Sequence, residues 1–150
     1  MALKARTANK VKTNSSGSIE GVITKVLELD EKTEIEKGKE VVYAAQFEFQ
    51  IEVEGSQKPI TYRVWTRQTF NNEKYKKDDG TLDYNTFTRL MLQLELITES
   101  DLKDLESSKF ADIDVESVEG LKVQFELEDS RKNKGLKVPK VSSIKPLKVK

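Results

Sequence analysis

The stretch VVYAAQFEFQIEVE, residues 41–54, carries the clearest pattern in the chain. Val41, Tyr43, Ala45, Phe47, Phe49, Ile51 and Val53 take the odd positions, and Gln46, Glu48, Gln50, Glu52 and Glu54 take even ones. Side chains of a strand alternate between its two faces, so this pattern predicts one face in a core and one in solvent. At about 3.3 Å per residue, the thirteen residues from Val41 to Val53 span about 40 Å, so a single strand here is long and expected to bend.

Working outward, Ile19–Leu29 (IEGVITKVLEL) is rich in β-branched residues and reads as a preceding strand. The charged segment Asp30–Glu40 reads as the connection between the two. Gly55-Ser56-Gln57-Lys58-Pro59 suits a hairpin, leading to a third strand over Ile60–Arg67. There Ile60, Tyr62 and Val64 fall on one face, and Thr61, Arg63, Trp65 and Arg67 on the other. After a polar loop, Asp83 suits a helix N-cap, because Tyr84, Phe87, Leu90, Met91, Leu94 and Ile97 recur at helical spacing. Thr98 with Asp101 resembles a second cap. Alternation returns at Leu121, Val123, Phe125 and Leu127, and a last extended segment covers Leu136–Leu147, where Pro139 and Pro146 suit an edge.

The expected order is therefore strand, strand, strand, helix, strand, strand. That is the layout of a mainly β protein, a five-stranded β-barrel of the oligonucleotide/oligosaccharide-binding (OB) fold with the helix between strands three and four. The expected organisation is a flexible basic leader over 1–17, one OB-fold domain over 18–147 and a basic tail over 148–150.

The chain has 150 residues with neither cysteine nor histidine. Disulfides, thiolate nucleophiles, imidazole bases and the zinc or haem sites built on those ligands are excluded. No phosphate-binding glycine loop or nucleophile motif occurs, and Asp78-Asp79-Gly80 lacks the alternating ligands of a calcium loop. No cofactor, no metal and no enzymatic activity are expected. A nuclease built on carboxylates and a metal would need an acidic cluster that stands out from the general acidity. No apolar run approaches the roughly 20 residues needed to cross a bilayer, and the N-terminus lacks the apolar centre of a secretory signal. A cytoplasmic protein without membrane contact is expected.

Lys+Arg and Asp+Glu both number 26, but their distribution is uneven. Lys4, Arg6, Lys10 and Lys12 at one end, and Arg131 through Lys150 at the other, are accompanied by no acid. Every acidic residue lies within 15–129. Such asymmetry suits a polyanionic partner, or the joining of opposite charges between copies. Against that acidic middle, residues 63–77 stand apart. They combine Arg63, Arg67, Lys74, Lys76 and Lys77 with Trp65, Phe70 and Tyr75, and include one acid, Glu73. Cations that displace counterions from phosphates, interleaved with rings that stack on unpaired bases, are what single-stranded nucleic acid requires. The alternative is that Trp65 packs beneath a loop or the helix and Phe70 anchors the loop. A second basic group, Arg131, Lys132, Lys134 and Lys137, falls on the turn before the final strand, either as phosphate contacts or as a solvated turn. The acids from Glu95 to Glu119 read as a solvated surface or as a face for a protein partner.

Three stretches give a resemblance to the phage- and plasmid-type single-stranded-DNA-binding proteins with an OB fold. They are SIEGVITKV (Ser18–Val26), QFEFQI (Gln46–Ile51) and GLKVQFELEDSRKNKGLKVP (Gly120–Pro139). The resemblance covers most of residues 18–147 and is one of layout. It implies sequence-tolerant binding of single-stranded DNA in replication or recombination, with RNA not distinguished and homo-oligomers possible. Housekeeping relatives in bacteria end in an acidic tip that recruits partners, whereas this chain ends Lys148-Val149-Lys150. The competing reading is a self-associating or protein-binding assembly module that ignores nucleic acid.

Overall fold

A computed structural model describes residues 8–70, 84–98, 100–101, 113–130 and 135–147. The protein is mainly β. Its elements run β1 (Ile19–Leu29), β2 (Lys32–Glu36), β3 (Lys39–Tyr43), β4 (Gln46–Val53), β5 (Ile60–Arg67), α1 (Thr86–Gln93), β6 (Lys122–Phe125), β7 (Leu127–Asp129), β8 (Lys137–Pro139) and β9 (Lys145–Pro146). Five of the strands form one antiparallel sheet in the order β5-β4-β1-β6-β9.

The expected closed barrel is not found. Among the described residues the sheet is open, with β5 and β9 as unpaired edges. β8 nonetheless packs beside β5, because the chain leaves β6 at Glu126 and forms the separate β7–β8 ribbon. Pro146 does lie on an edge strand, where its missing N–H costs no ladder bond.

β1 is central and bends. A register shift after Ile23 leaves Thr24 as a bulge, pairing Ile23 with Ile51 but Lys25 with Gln50. Gly21 is required where β1 lies between β4 and β6, since a Cβ there would fall 2.8 Å from the Glu52 carbonyl oxygen.

The pattern over residues 41–54 divides at Ala44-Ala45. From Phe47 onward the alternation is real, with Phe49, Ile51 and Val53 buried. Val41 and Tyr43 belong instead to β3, which pairs with β2 in a hairpin. The expected connection Asp30–Glu40 is therefore mostly strand. Lys37 (φ 51°) and Gly38 (φ 77°) both take left-handed conformations, making a two-residue turn whose twist matches that of the flanking strands.

Phe49, Ile51, Ile23, Val123 and Phe125 form the floor of the core, and α1 covers it with Phe87, Leu90 and Met91. The expected cap Asp83 lies outside the described residues. The cap observed is Asn85, whose side chain accepts the Thr88 N–H at 2.8 Å. The Thr98–Asp101 box forms as expected, with bonds of 2.9 and 3.3 Å. Gln93 ties the end of α1 to the last segment by donating to the Val141 and Ile144 carbonyls at 2.6 and 2.8 Å.

Of the expected leader, residues 1–7 lie outside the described residues, while residues 8–12 run beside the β4–β5 turn and 14–17 form a turn into β1. Val11 bridges Gly55, and the Asn9 side chain accepts the Gln57 N–H at 3.0 Å.

Candidate nucleic-acid interface

β5 is half-buried by alternation. Val64 and Thr66 point into the core, and Thr61, Arg63, Trp65 and Arg67 point outward. Ladder pairing sets Arg67 against Gln46, Trp65 against Glu48 and Arg63 against Gln50. Trp65 is 50% exposed, which decides against the reading that buries it. Its ring is held by the edge: the indole N–H donates to Glu48 at 2.9 Å, leaving the ring available for stacking. The same carboxylate takes Gln50 at 2.7 Å and lies 3.9 Å from the Arg63 guanidinium. Glu48 therefore orients Trp65 but also offsets the charge of Arg63.

Two clefts meet at Trp65. The first, about 410 Å³, opens toward the start of α1 and is lined by Trp65, Arg67, Tyr84, Asn85 and Arg89 among others, with no carboxylate among the described residues. Asn85 is held by donating to the Thr69 carbonyl at 3.0 Å, which fixes the helix start against the end of β5. Among the described residues Arg67 has no ion-pair partner. The second cleft, about 590 Å³, lies beneath the β2–β3 hairpin. Its lining includes Glu28, Asp30 and Glu34 with one cation, Lys32, and the apolar surfaces of Leu29 and Tyr43. A polyanion is attracted to the smaller cleft and repelled by the larger.

Arg63, Trp65 and Arg67 thus share one face, as expected. Phe70 does not join them. It is half-buried and its ring lies 4.9 Å from that of Phe87, so it anchors the chain leaving β5 to α1. Lys74, Tyr75, Lys76, Lys77, Arg131, Lys132 and Lys134 lie outside the described residues. Lys137 is exposed on β8, beside β5, and pairs with Asp129 at 2.5 Å. Exposed pairs of this kind are weak, so a phosphate can compete for the ammonium.

Sequence reading missed Tyr84 and Arg89. In the sequence Tyr84 reads as part of the helix's apolar stripe. Arg89 is the sole cation in TFTRLMLQ and falls between the buried positions Phe87 and Leu90, which placed it outward but not beside Trp65.

Two tyrosines have raised pKa values. The Tyr43 hydroxyl donates to the Glu36 carboxylate, and that bond, slight desolvation and the nearby charges of Glu36 and Glu34 all favour the neutral phenol. Burial alone raises Tyr62. Among the described residues no group of three or more His, Cys, Asp or Glu is placed to hold a metal, and no helix is long and apolar enough to cross a membrane.

No family model, curated protein or solved structure matches this chain. The functional reading rests on the site itself.

Proposed function

We propose that this chain is a non-catalytic, sequence-tolerant single-stranded-DNA-binding protein of the phage or plasmid type, acting in replication or recombination from an OB-type fold. The strand order supports the fold. Numbered along the chain, the sheet reads 3-2-1-4-5, the order of an OB barrel opened at the seam between its third and fifth strands. β8, part of the returning fifth strand, lies beside β5 at that seam, and α1 falls between strands three and four in the chain. In OB folds the second and third strands form the binding face, and those are β4 and β5 here.

The observation that carries the reading is the half-exposed Trp65 ring bordering a cleft whose described lining holds Arg67, Arg89 and Tyr84 and, among the described residues, no acid. A base stacks on the indole while the guanidiniums hold the adjoining phosphates, an arrangement that is tolerant of sequence because every base has a π face. Lys137, on β8 beside β5, adds a further positive charge.

Titration of the full chain with short single-stranded oligonucleotides tests this through Trp65 fluorescence. Quenching, with affinity that falls steeply as salt rises, is expected. An unchanged spectrum and no affinity at low salt would overturn the proposal. Parallel DNA and RNA arms decide which backbone is preferred, since that choice depends on contacts to the 2′-hydroxyl.

The larger, acidic cleft and the hairpin above it favour a second reading, an assembly module.

A further inference from the structure

Among the described residues six large hydrophobic side chains are exposed, and three of them, Leu29, Tyr43 and Trp65, converge on the acidic cleft. Both rings are tied by their polar hydrogens, the indole N–H donating to Glu48 and the Tyr43 hydroxyl to Glu36. A carboxylate at the edge of each ring leaves the faces as the free surface. It also adds negative charge close by, which favours a cation over either face. Lys32 shows that chemistry within the cleft: its ammonium lies over the Tyr43 ring, 5.6 Å from the ring centre, and 3.0 Å from Glu34.

Lys32 is the one cation in the lining, and Glu34 already takes its charge. Glu28 and Asp30 are exposed and, among the described residues, have no ion-pair partner. The acidic surface continues past this cleft. Glu28 also lines a second one, about 200 Å³, with Val26, Phe47, Val115, Asp114 and Glu116 among others, and with no cation among the described residues. The two clefts meet at Glu28 and set carboxylates along apolar and aromatic surface. One small amine covers only part of that surface. A peptide covers more of it, because the alkyl stems of lysine and arginine lie on apolar groups while their heads reach the carboxylates. Nucleic acid is repelled.

We propose that these adjoining clefts dock a basic segment of a partner protein, one that carries lysine or arginine among apolar residues. The site shares Trp65 with the basic cleft but needs no nucleic acid, so it is tested apart from the binding function proposed above.

Fluorescence anisotropy of a labelled octapeptide alternating lysine and leucine tests it, on the full chain without oligonucleotide. The peptide should bind at about 0.1 M ionic strength, where the Debye length is about 10 Å, and weaken toward about 1 M, where it is about 3 Å. Glu28→Gln with Asp30→Asn should weaken binding by about 2- to 30-fold, the range for two exposed ion pairs. Glu20→Gln with Glu52→Gln removes the same charge from exposed positions elsewhere on β1 and β4, and should change it little. Arg67→Ala with Arg89→Ala should not weaken it, which separates this site from the nucleic-acid face. A peptide that fails to bind at low salt overturns the proposal. So does an equal loss from the two acidic pairs, which would mean attraction to the general acidity of the surface. An octapeptide of lysine and glutamine that binds as tightly would leave the apolar lining without a part and overturn it too. Spermidine that displaces the peptide as well as unlabelled peptide does would make the occupant a free polyamine instead.

Discussion

Of the two clefts that Trp65 lines, one holds Arg67 and Arg89 and the other Glu28, Asp30 and Glu34. Both clefts use the same ring and the same strand end at Gln46, and the acidic one is larger, about 590 against 410 Å³. Size alone selects the acidic cleft as the binding site. Chemistry points the other way: under the proposed function a phosphate chain is expected at the basic cleft and not at the acidic one. The ring then marks a boundary, with a polyanion expected along the α1 side and kept from the hairpin side. That boundary follows from which elements reach the ring: the end of β1, the link after it and β2 bring Glu28, Asp30 and Glu34 to one cleft, whereas the end of β5 and α1 bring Arg67 and Arg89 to the other.

The most direct way to break this comparison is to remove the shared ring. Trp65→Ala should weaken oligonucleotide binding by about 1–3 kcal/mol, or about 5- to 150-fold, with little change in thermal stability because the side chain is half-exposed. Unchanged affinity in a gel-shift or anisotropy titration would remove the ring from the interface. Next in size is the charge of the basic cleft. Arg67→Ala combined with Arg89→Ala should lower the slope of log affinity against log salt by about 1.4, at about 0.7 per phosphate contact on a single strand. The matched pair Asp30→Asn with Glu34→Gln, in the other cleft, should leave that slope nearly unchanged. Equal responses from the two pairs would mean that the clefts are not distinct.

These differences were unequally legible in the sequence. β5 was readable because burial of Val64 and Thr66 forces Arg63, Trp65 and Arg67 outward, and strict alternation survives in the residues themselves. The β2–β3 hairpin was not, since nearly every residue on it is exposed and nothing imposes a periodic pattern. Its signal was the turn, Lys37-Gly38, within a run of charge. The break at Ala44-Ala45 was hidden because Val41, Tyr43 and Ala45 keep the phase of Phe47, so the alternation reads through a change of sheet. Phe70 and Trp65 are both rings at the end of one strand. Their separation into a packing residue and an exposed one depends on where Phe87 of α1 sits. The approach of Arg89 and Tyr84 to Trp65 is tertiary in the same sense.

A smaller effect sharpens the role of Glu48, which serves both neighbours at once. Glu48→Gln keeps an acceptor for the indole N–H but removes the charge 3.9 Å from Arg63. Exposed charge pairs are worth about 0.2–1 kcal/mol, so oligonucleotide affinity should rise by up to about fivefold at low salt. Glu48→Ala should lose that gain, because the ring is no longer held. If the two variants bind alike, the orienting role of Glu48 is disproved.

The least of the expected effects belongs to the acidic side and concerns a proton. Tyr43 is stabilised in its neutral form chiefly by its hydrogen bond to Glu36, so its pKa lies above the ordinary 10.0. A folded-state pKa raised in this way gives stability that is full below the unfolded value and lost as pH rises through the folded one. The hairpin should therefore be tied down at neutral pH and loosen only in alkali. In a spectrophotometric titration of tyrosinate, Glu36→Gln should move one of the late-ionising phenols back toward 10, and Tyr43→Phe should delete it. Tyr62, raised by burial, should remain late in both variants. The Arg67–Arg89 cleft should not respond, so oligonucleotide affinity at neutral pH stays the same in both. Should Glu36→Gln alter that affinity, charge on the hairpin is reaching the nucleic acid, and the boundary drawn at Trp65 is in the wrong place.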